Sequence, residues 1–430
     1  MTDAPLRVWI VEVGEPLAID PGNPKRMRAS LLSEQCAMRG HDVTWFTSAF
    51  DHYRKRMRPT GDFDVRGDGW EYKITVLPAL GYRRHISLAR WRDHRRTASE
   101  LVARAVDRRR PDVICAGLPT LDLAEASAKL ADHFDTRLVI DVQDLWPDVI
   151  RDALPRPLRW AGSLLRPMRL QAERACNRAD AIVGTSPTYV DWGVAQARRP
   201  RTEWDHPFPL TSDPPTLGAD DLVQCEAYWS RLGVEPSTTV FAFVGSFSRH
   251  FSFDPVIEVI AEWSGRHPEV RFVLCGEGPK RDRIASRLNG SANCVMPGWV
   301  NAREATWLLR HAVAGLAPYN PIPIFEQNYT NKLLEYLSVG LPVVSSLRAG
   351  LQGSLLREEQ CGFTYEPKDP STLSNVLERL LLDKELRERT SRAAERVFAD
   401  QFSTAKVYGA YAEYLGELAD DLGASRSRAS

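Results

Sequence analysis

Short apolar runs rich in β-branched and aromatic residues alternate along the first half of the chain with polar segments of helical length. Most of these runs end near glycine, proline or acidic residues, which is typical of strands that lead into turns. A helix is predicted from about Arg26 to Arg39, between the first two runs. Strands that alternate with helices predict an α/β fold with a parallel sheet. The predicted strands are Arg7–Val13, Val43–Phe46, Asp112–Cys115, Arg137–Val142 and Ala181–Thr185.

The same alternation resumes after a polar stretch that is crowded with proline and lacks periodicity, which we interpret as a linker. The chain has 430 residues, 43% of them hydrophobic, and is long enough for two domains of about 200 residues. The predicted divisions are an N-terminal domain over 1–205, a linker over 206–236, a C-terminal domain over 237–400, a helix over 401–419 and a disordered tail over 420–430.

Charge and cysteine usage exclude several classes of protein. Lys and Arg number 56, as do Asp and Glu, and the pI is near 7.1, so nothing global favours a nucleic-acid partner. The seven cysteines form no C-x-x-C pair and no metal-like spacing with histidine. The N-terminal apolar run is too short for a signal peptide or a membrane span. We therefore expect a cytoplasmic protein with reduced thiols.

The stretch 317–346 reads as a strand end, a loop, a short helix and a buried strand. Thr330 is a plausible N-cap, because its hydroxyl can accept from a free amide of the first turn. Gly340 and Pro342 end the helix after about two and a half turns. The apolar side of this helix consists of Leu333, Leu334 and Leu337.

Three polar residues share another side of the same helix by their three- and four-residue spacing, namely Asn331, Lys332 and Glu335. The positive helix end and the lysine favour a phosphate. A carboxylate one turn further can accept from two ribose hydroxyls. The alternative is a surface helix that carries one lysine and one glutamate without a ligand.

A second candidate ligand loop follows the strand-like run TTVFAFV. The backbone amides of Gly245 and Ser246 can approach a diphosphate closely, and Arg249 can add positive charge. The loop after the first predicted strand, in contrast, has no G-x-G-x-x-G pattern. A dinucleotide site is therefore not expected there.

A polar cluster follows the predicted strand Arg137–Val142, in the sequence DVQDLWPD. Ligands of α/β folds bind outside the carboxyl ends of parallel strands, so Gln143 and Asp144 are candidate site residues. The alternative is that Asp144 caps the following turn while Trp146 packs beneath it.

The string NKLLEYLSVGLPVVSS at 331–346 resembles the signature of the retaining glycosyltransferases of family 4. That family has the GT-B fold, in which two Rossmann-like domains with parallel sheets face each other across a cleft. There this helix closes an E-x7-E pattern whose second Glu binds the ribose of the nucleotide sugar, and Glu335 matches it. Gln327 stands in the place of the first Glu and Glu326 lies one residue away, so the donor-sugar loop departs from the family pattern.

The resemblance extends to other loops and to the helix over 401–419, and it implies that this terminal helix crosses back to the N-terminal domain. DVQDLWPD is similar to the family's H-D-L-W-P, with Gln143 in the place of a His that lies near the donor sugar. The catalytic residues that the resemblance implies are Asp144, Gln143, Arg249 and Lys332. The implied donor-binding residues are Gly245, Ser246, Arg249, Gly276, Gly278, Val300, Glu326, Gln327, Thr330, Asn331, Lys332 and Glu335. The implied acceptor-side residues, for which a solvated turn is the alternative, are Gly22, Asn23 and Arg28.

The reaction implied by the resemblance moves a glycosyl group from a nucleotide sugar, a UDP-sugar, to an acceptor hydroxyl with retention of configuration. The diphosphate leaving group takes the acceptor proton. No metal or cofactor is implied, because no D-x-D follows a strand and the helix dipole, Arg249 and Lys332 would neutralise the diphosphate. Two alternatives are a nucleotide-sugar 2-epimerase of similar fold and a non-catalytic protein that binds the sugar nucleotide.

Two arginine-rich stretches, 82–110 and 151–178, mix arginine with leucine and tryptophan. Such segments can lie on an anionic bilayer with their apolar side down, and related enzymes reach lipid-linked acceptors in this way. This favours peripheral contact with the inner face of the membrane and a lipid-linked saccharide acceptor. The alternative is a solvated arginine-rich face and a soluble small-molecule acceptor.

Overall fold

The computed structural model of the protein describes residues 5–21, 25–84, 87–152 and 165–427, with side chains through residue 421. The chain divides into two compact units. Unit 1 consists of Met1–Pro209 and Val407–Ser430, and unit 2 consists of Leu210–Lys406. Within the described residues, no helix is both long and apolar enough to cross a lipid bilayer.

A mainly parallel sheet forms the centre of unit 1. Its strands are β1 (Arg7–Val11), β2 (Asp42–Ser48), β5 (Gly61–Gly67), β6 (Trp70–Leu77), β7 (Val113–Leu118), β8 (Arg137–Val142), β9 (Ala181–Gly184) and β10 (His206–Pro207), and a separate hairpin contains β3 (Phe50–Asp51) and β4 (Arg56–Met57). The order in the sheet is β10-β9-β8-β7-β1-β2-β6-β5. The edge strand β5 runs antiparallel to β6. The central run β6-β2-β1-β7-β8-β9 is the 3-2-1-4-5-6 order of doubly wound folds.

Helices cover both faces of this sheet. They are α1 (Arg28–Met38), α2 (Leu88–Ala105), α3 (Leu121–Phe134), α4 (Asp148–Asp152), α5 (Arg166–Arg178), α6 (Pro187–Ala197) and the C-terminal α16 (Thr404–Ser427). Alternate residues of β1 point to opposite faces. Trp9 packs in the core with α2, α3, α5 and α6, whereas Val8 and Ile10 pack in the core with α1 and α16. Burial on both faces explains why the strands read as continuous apolar runs.

Unit 2 contains a second parallel sheet with the same strand order. Its strands are β11 (Thr239–Val244), β12 (Val270–Cys275), β13 (Cys294–Gly298), β14 (Ala314–Ala317), β15 (Val343–Ser345) and β16 (Gly362–Thr364). They are arranged as β13-β12-β11-β14-β15-β16. The helices are α7 (Ala219–Ser230), α8 (Asp254–Arg266), α9 (Arg281–Arg287), α10 (Ala302–His311), α11 (Pro323–Glu326), α12 (Asn331–Leu337), α13 (Gly350–Glu358), α14 (Pro370–Leu382) and α15 (Lys384–Val397), followed by a π-helical turn at Phe398–Phe402. The parallel α/β architecture predicted from the sequence is therefore confirmed.

Several local predictions need correction. The predicted linker over 206–236 contains α7, because Trp229 packs inside unit 2 and donates from its indole to the carbonyl of Glu304 at 3.0 Å. The predicted disordered tail over 420–430 is helical through Ser427 as part of α16. Strand β1 ends at Val11, and α1 begins at Arg28. The pair β5 and β6 was not predicted from the sequence.

Candidate active site

The seven-residue helix α12 carries the predicted nucleotide-side residues. Thr330 is confirmed as its N-cap, since its hydroxyl accepts from the backbone N–H of Leu333 at 3.3 Å. The predicted apolar side is confirmed as buried. The helix is shorter than predicted and has its C-cap at Ser338, and the left-handed residue Gly340 (φ 68°) follows. The threonine thus occupies one of the four free amides at the start of the helix.

Lys332 and Glu335 form an ion pair across one turn of α12. Their side chains are 10% and 23% exposed, and Asn331 beside them is exposed. Lys332 is therefore buried although Asn331 is exposed, and it lies against the loop after β11. A Cβ at Gly245 would stand 2.9 Å from Lys332 Cε, so the glycine leaves the space that the lysine fills.

The glycine loops after β11 and β12 pack backbone against backbone. Gly276 has φ 131°, and a Cβ there would lie 1.8 Å from the carbonyl oxygen of Gly245. Gly278 has φ 151°, and a Cβ there would lie 2.8 Å from the amide nitrogen of Phe247. Val300, which follows β13, is also buried at this edge of the sheet. The structure therefore brings the predicted Gly245, Gly276 and Lys332 together, with Gly278 and Val300 in the adjoining loops.

Ser246 and Arg249 lie on the solvent side of the same loop. The side-chain amide of Asn320 donates to the carbonyl of Arg249 at 2.6 Å and so holds this part of the chain. Among the residues that the structure describes, no carboxylate forms an ion pair with Arg249. Its guanidinium is thus available to an anionic ligand.

Glu326 and Gln327 lie at the end of α11. Gln327 is exposed and is the C-cap, whereas Glu326 is half-buried. A Cβ at Gly350 would stand 2.0 Å from the carbonyl oxygen of Glu326, which fixes this turn against the start of α13. A contact of either residue with a donor sugar stays a prediction.

In unit 1, Gln143 and Asp144 follow β8, where the sequence placed them. The Gln143 side chain donates to the Glu12 carboxylate at 2.8 Å, an interaction within the protein that the sequence did not indicate. Asp144 Oδ1 accepts from the N–H of the next residue, Leu145, at 2.8 Å. Burial raises the pKa of Asp144. The catalytic roles of both residues stay predictions.

Arg28 is buried, and its guanidinium donates hydrogen bonds to groups inside unit 1. Its Nε and Nη2 donate to the two oxygens of Asp141 at 2.6 and 2.9 Å. Its Nη1 donates to the carbonyls of Phe208 and Pro209 at 2.8 and 3.3 Å. The predicted acceptor contact of Arg28 is therefore corrected to a role inside the fold. Gly22 and Asn23 lie outside the described residues.

Two buried carboxylates beside Arg28 were not singled out from the sequence. Glu15 accepts from the N–H of Ala29 at 3.1 Å with either oxygen, and burial raises its pKa to about 7. Burial also raises the pKa of Glu12, and the nearby carboxylates of Glu15 and Asp141 add to this effect. The available signal was the string VEVGEP, which places two acids directly after the first strand.

Two doubly wound units, each with the strand order 3-2-1-4-5-6, fit the GT-B fold. Residues 26–204 match the model of the glycosyl transferase 4-like domain, and residues 230–397 match the model of glycosyl transferases group 1. The chain therefore belongs to the group 1 glycosyltransferases of GT-B fold, as the sequence resemblance predicted.

Two curated relatives match part of the chain. The D-inositol 3-phosphate glycosyltransferase of Corynebacterium jeikeium (strain K411) is 26% identical over 200 residues, which cover 44% of this chain and 45% of that protein. The sulfoquinovosyl transferase SQD2 of Arabidopsis thaliana is 28% identical over 163 residues, which cover 37% and 30%. The matched region thus spans less than half the length of either relative.

Solved structures resemble the whole chain. Sucrose-phosphate synthase of Thermosynechococcus elongatus has a TM-score of 0.70 and 17% identity, and the match covers 98% of this chain and 100% of that one. Anabaena HepE in complex with UDP and glucose has a TM-score of 0.62 and 15% identity, with 96% and 100% covered. The lipopolysaccharide glycosyltransferase WaaG has a TM-score of 0.56 and 16% identity, with 95% and 99% covered. These likenesses show the fold.

Proposed function

We propose that the protein transfers a glycosyl group from a UDP-sugar to an acceptor hydroxyl with retention of configuration. The observation that carries the proposal is the Lys332–Glu335 pair, which unit 2 holds beside two loops whose glycines permit close backbone approach. Membership of the group 1 glycosyltransferases supports it, and so does the HepE structure, whose ligands include UDP and, in another complex, UDP-glucose.

Each group at this site has a proposed task. Glu335 accepts hydrogen bonds from the ribose hydroxyls, and the loops at Gly245 and Gly276 let the diphosphate approach the backbone. Lys332 and Arg249 stabilise the charge that develops on the leaving diphosphate, in the place of a metal ion. The bond between the sugar carbon and the phosphate oxygen breaks. The acceptor oxygen bonds to the same face of that carbon, and its proton goes to a phosphate oxygen.

The test is a panel of nucleotide sugars that differ in base and in sugar. A melting shift identifies the donor, and slow hydrolysis without acceptor shows that the donor bond is activated. NMR of the released or transferred sugar then gives the anomeric configuration. An axial donor bond that yields an axial product supports retention, and inversion contradicts it. Conversion of the donor into a 2-epimer would identify an epimerase, and donor binding without turnover would identify a sensor.

We further propose that α2 places unit 1 on an anionic membrane surface. Leu88 and Trp91 are 73% and 42% exposed on one side of the helix, and nearby Leu80 is 63% exposed. Arg95 lies over the Trp91 ring at 5.4 Å from its centroid, so charge and apolar area share this surface. A lipid-linked acceptor fits such a surface, whereas a soluble acceptor fits the D-inositol 3-phosphate relative.

Arginines of the second basic stretch pair with carboxylates, as Arg96 and Arg104 of α2 do with Glu100. Within α5, Arg169 and Arg174 form ion pairs with Asp148 and Glu125 at 2.9 Å, so their charges are compensated inside unit 1. Arg178 likewise pairs with Asp132. Residues 153–164 of that stretch lie outside the described residues.

Co-sedimentation with vesicles tests the membrane proposal. The protein should pellet with anionic vesicles at low salt and not with neutral ones, because each well-placed arginine contributes about 1 kcal/mol. Trp91→Ser should release it, whereas the control Trp299→Ser, at an exposed tryptophan of unit 2, should not. Equal release by both variants, or no binding at low salt, contradicts the proposal and favours a soluble acceptor.

A further inference from the structure

An arginine of α2 contacts the loop that follows β8. Arg90 Cζ lies 4.6 Å from the centroid of the Trp146 ring and 5.4 Å from that of the Tyr82 ring. A guanidinium is attracted to the faces of aromatic rings, and more strongly where water is partly excluded. Arg90 is half-buried, so this condition is met. The arginine therefore joins the start of α2 to the loop that carries Gln143 and Asp144.

The position of Arg90 within α2 is unfavourable for a cation. Ser87 is the N-cap of the helix, and its hydroxyl accepts from the Arg90 N–H at 3.2 Å. Arg90 thus lies in the first turn, where the positive end of the helix disfavours positive charge and no acidic residue offsets it. The interactions that stabilise the guanidinium therefore come from outside this turn.

Two neighbours hold the guanidinium in place. Arg90 Nε donates to His94 Nε2 at 3.3 Å. Burial and the nearby Arg90 lower the pKa of His94 to about 3, so this ring is a neutral acceptor. The Tyr82 hydroxyl lies 2.7 Å from His52 Nδ1, which fixes the second ring. Trp146 therefore lies against a cation that is itself held by the protein.

Trp146 in turn forms a hydrogen bond with Asp144. Burial raises the pKa of Asp144, whereas hydrogen bonds from the Leu145 backbone and the Trp146 side chain and the charge of Arg90 lower it. Arg90 thus acts on this carboxylate in two ways, through its own charge and through the indole that it holds. An ionised carboxylate accepts hydrogen bonds and donates none, so its protonation state decides which substrate group it can bind.

We propose that Arg90 is a positioning residue for glycosyl transfer, which holds Asp144 as a hydrogen-bond acceptor by fixing Trp146 and by supplying positive charge. The inference rests on the proposed function, because Asp144 acts on a substrate only if the protein transfers a glycosyl group. Arg90 is not itself a catalytic residue, since it acts through Trp146 and Asp144.

The pH titration of the Trp146 indole N–H signal in NMR tests this positioning without any substrate. Trp146→Phe assigns the signal, and Asp144→Asn should abolish its titration. Arg90→Gln should move the midpoint to higher pH, because loss of the positive charge raises the pKa of Asp144. Arg90→Lys keeps the charge and should leave the midpoint nearly unchanged. Arg95→Gln, which removes an arginine from the Trp91 ring of the same helix, is the matched control and should not move it.

The rate of donor hydrolysis shows whether the positioning serves the reaction. The substrate is the UDP-sugar that gives the largest melting shift in the panel. Arg90→Gln should lower kcat at least tenfold and move the acid limb of its pH profile to higher pH. Arg90→Lys should restore the acid limb but only part of kcat, because an ammonium group lacks the planar face that lies against the indole. Arg95→Gln should change neither.

Each contrary result has its own meaning. An unmoved indole midpoint or an unchanged kcat in Arg90→Gln overturns the proposal, and so do equal effects of Arg90→Gln and Arg95→Gln. If Arg90→Gln does not fold, Arg90→Lys decides, since an unchanged kcat in that variant overturns the proposal as well. If the unmodified protein hydrolyses none of the nucleotide sugars, the proposed function is contradicted, while the indole titration still shows whether Arg90 controls Asp144.

Discussion

Arg28 and Asp141 form a bidentate ion pair at the carboxyl end of β8, with N–O distances of 2.6 and 2.9 Å and both side chains almost completely buried. The guanidinium also lies 5.7 and 5.4 Å from the ring centroids of Tyr408 and Tyr411 on α16. The Arg28 side chain thus contacts β8, the residues that follow β10, and the C-terminal helix α16.

We therefore expect Arg28→Met to destabilise unit 1 by about 3–5 kcal/mol, because it leaves the Asp141 carboxylate buried without its partner. Urea unfolding measures this loss. Arg39→Met, which removes an exposed pair with Glu413, should cost less than about 1 kcal/mol. The double variant Arg28→Met, Asp141→Leu should recover much of the loss, and equal costs for the two single variants would contradict the argument.

Glu335 should decide the affinity for the donor. Glu335→Ala removes two proposed charge-assisted hydrogen bonds to the ribose, so we expect UDP to bind about a hundredfold more weakly, or about 3 kcal/mol. Glu335→Gln keeps a hydrogen-bond acceptor beside the buried Lys332 and should lose about tenfold. Calorimetry measures both values. Glu388→Gln on the exposed side of α15 is the control, and unchanged UDP binding in Glu335→Ala rejects the ribose role.

Lys332 and Arg249 should act on the phosphates and not on the nucleoside. Lys332→Gln and Arg249→Ala are expected to weaken UDP far more than uridine, since their charges act on the diphosphate. Titrations with both ligands measure the difference. Arg283→Ala, at an exposed arginine of α9, should change neither affinity. Equal losses for UDP and uridine would show that the variants disturb the fold of the site.

Substitutions at two glycines of the donor loops should affect different properties, namely UDP affinity at one and thermal stability at the other. Gly245→Ala brings a Cβ to 2.9 Å from the flexible end of Lys332, so UDP affinity should fall about tenfold with little change in Tm. Gly276→Ala brings a Cβ to 1.8 Å from a backbone oxygen at φ 131°, so Tm itself should fall. Gly265→Ala on α8 meets no atom within 4 Å and is the control. Equal Tm losses for the first two variants would contradict this distinction.

Glu15 should make the stability of unit 1 depend on pH. Burial raises the pKa of Glu15 from 4.5 to about 7, so the folded state binds this proton over a range in which the unfolded state has lost it. The free energy of unfolding should therefore fall as the pH rises from about 4.5 to about 7, by about 3 kcal/mol from this group. Glu15→Gln should flatten the dependence in urea unfolding at several pH values. An unchanged slope would contradict the assignment.

The sequence by itself determined the α/β class, the family and most of the unit 2 loops. Apolar runs and glycines are local signals. A strand that is buried on both faces requires consecutive apolar residues, and a positive φ angle favours glycine at that position. The cap at Thr330 followed from the same short-range chemistry. The sequence motif around Glu335 was sufficient to predict the helix that carries it.

Only the tertiary structure decided which charged side chains form ion pairs and hydrogen bonds inside the protein. Arg28 and Asp141 are 113 residues apart, and Gln143 and Glu12 are 131 apart, so no local pattern connects them. The parallel order of the strands brings the ends of β1 and β8 to one edge of the sheet, and burial there sets the pKa of Glu12 and Glu15. Lys332 is buried for a similar reason, since the space beside Gly245 exists only when β11 and α12 have packed together.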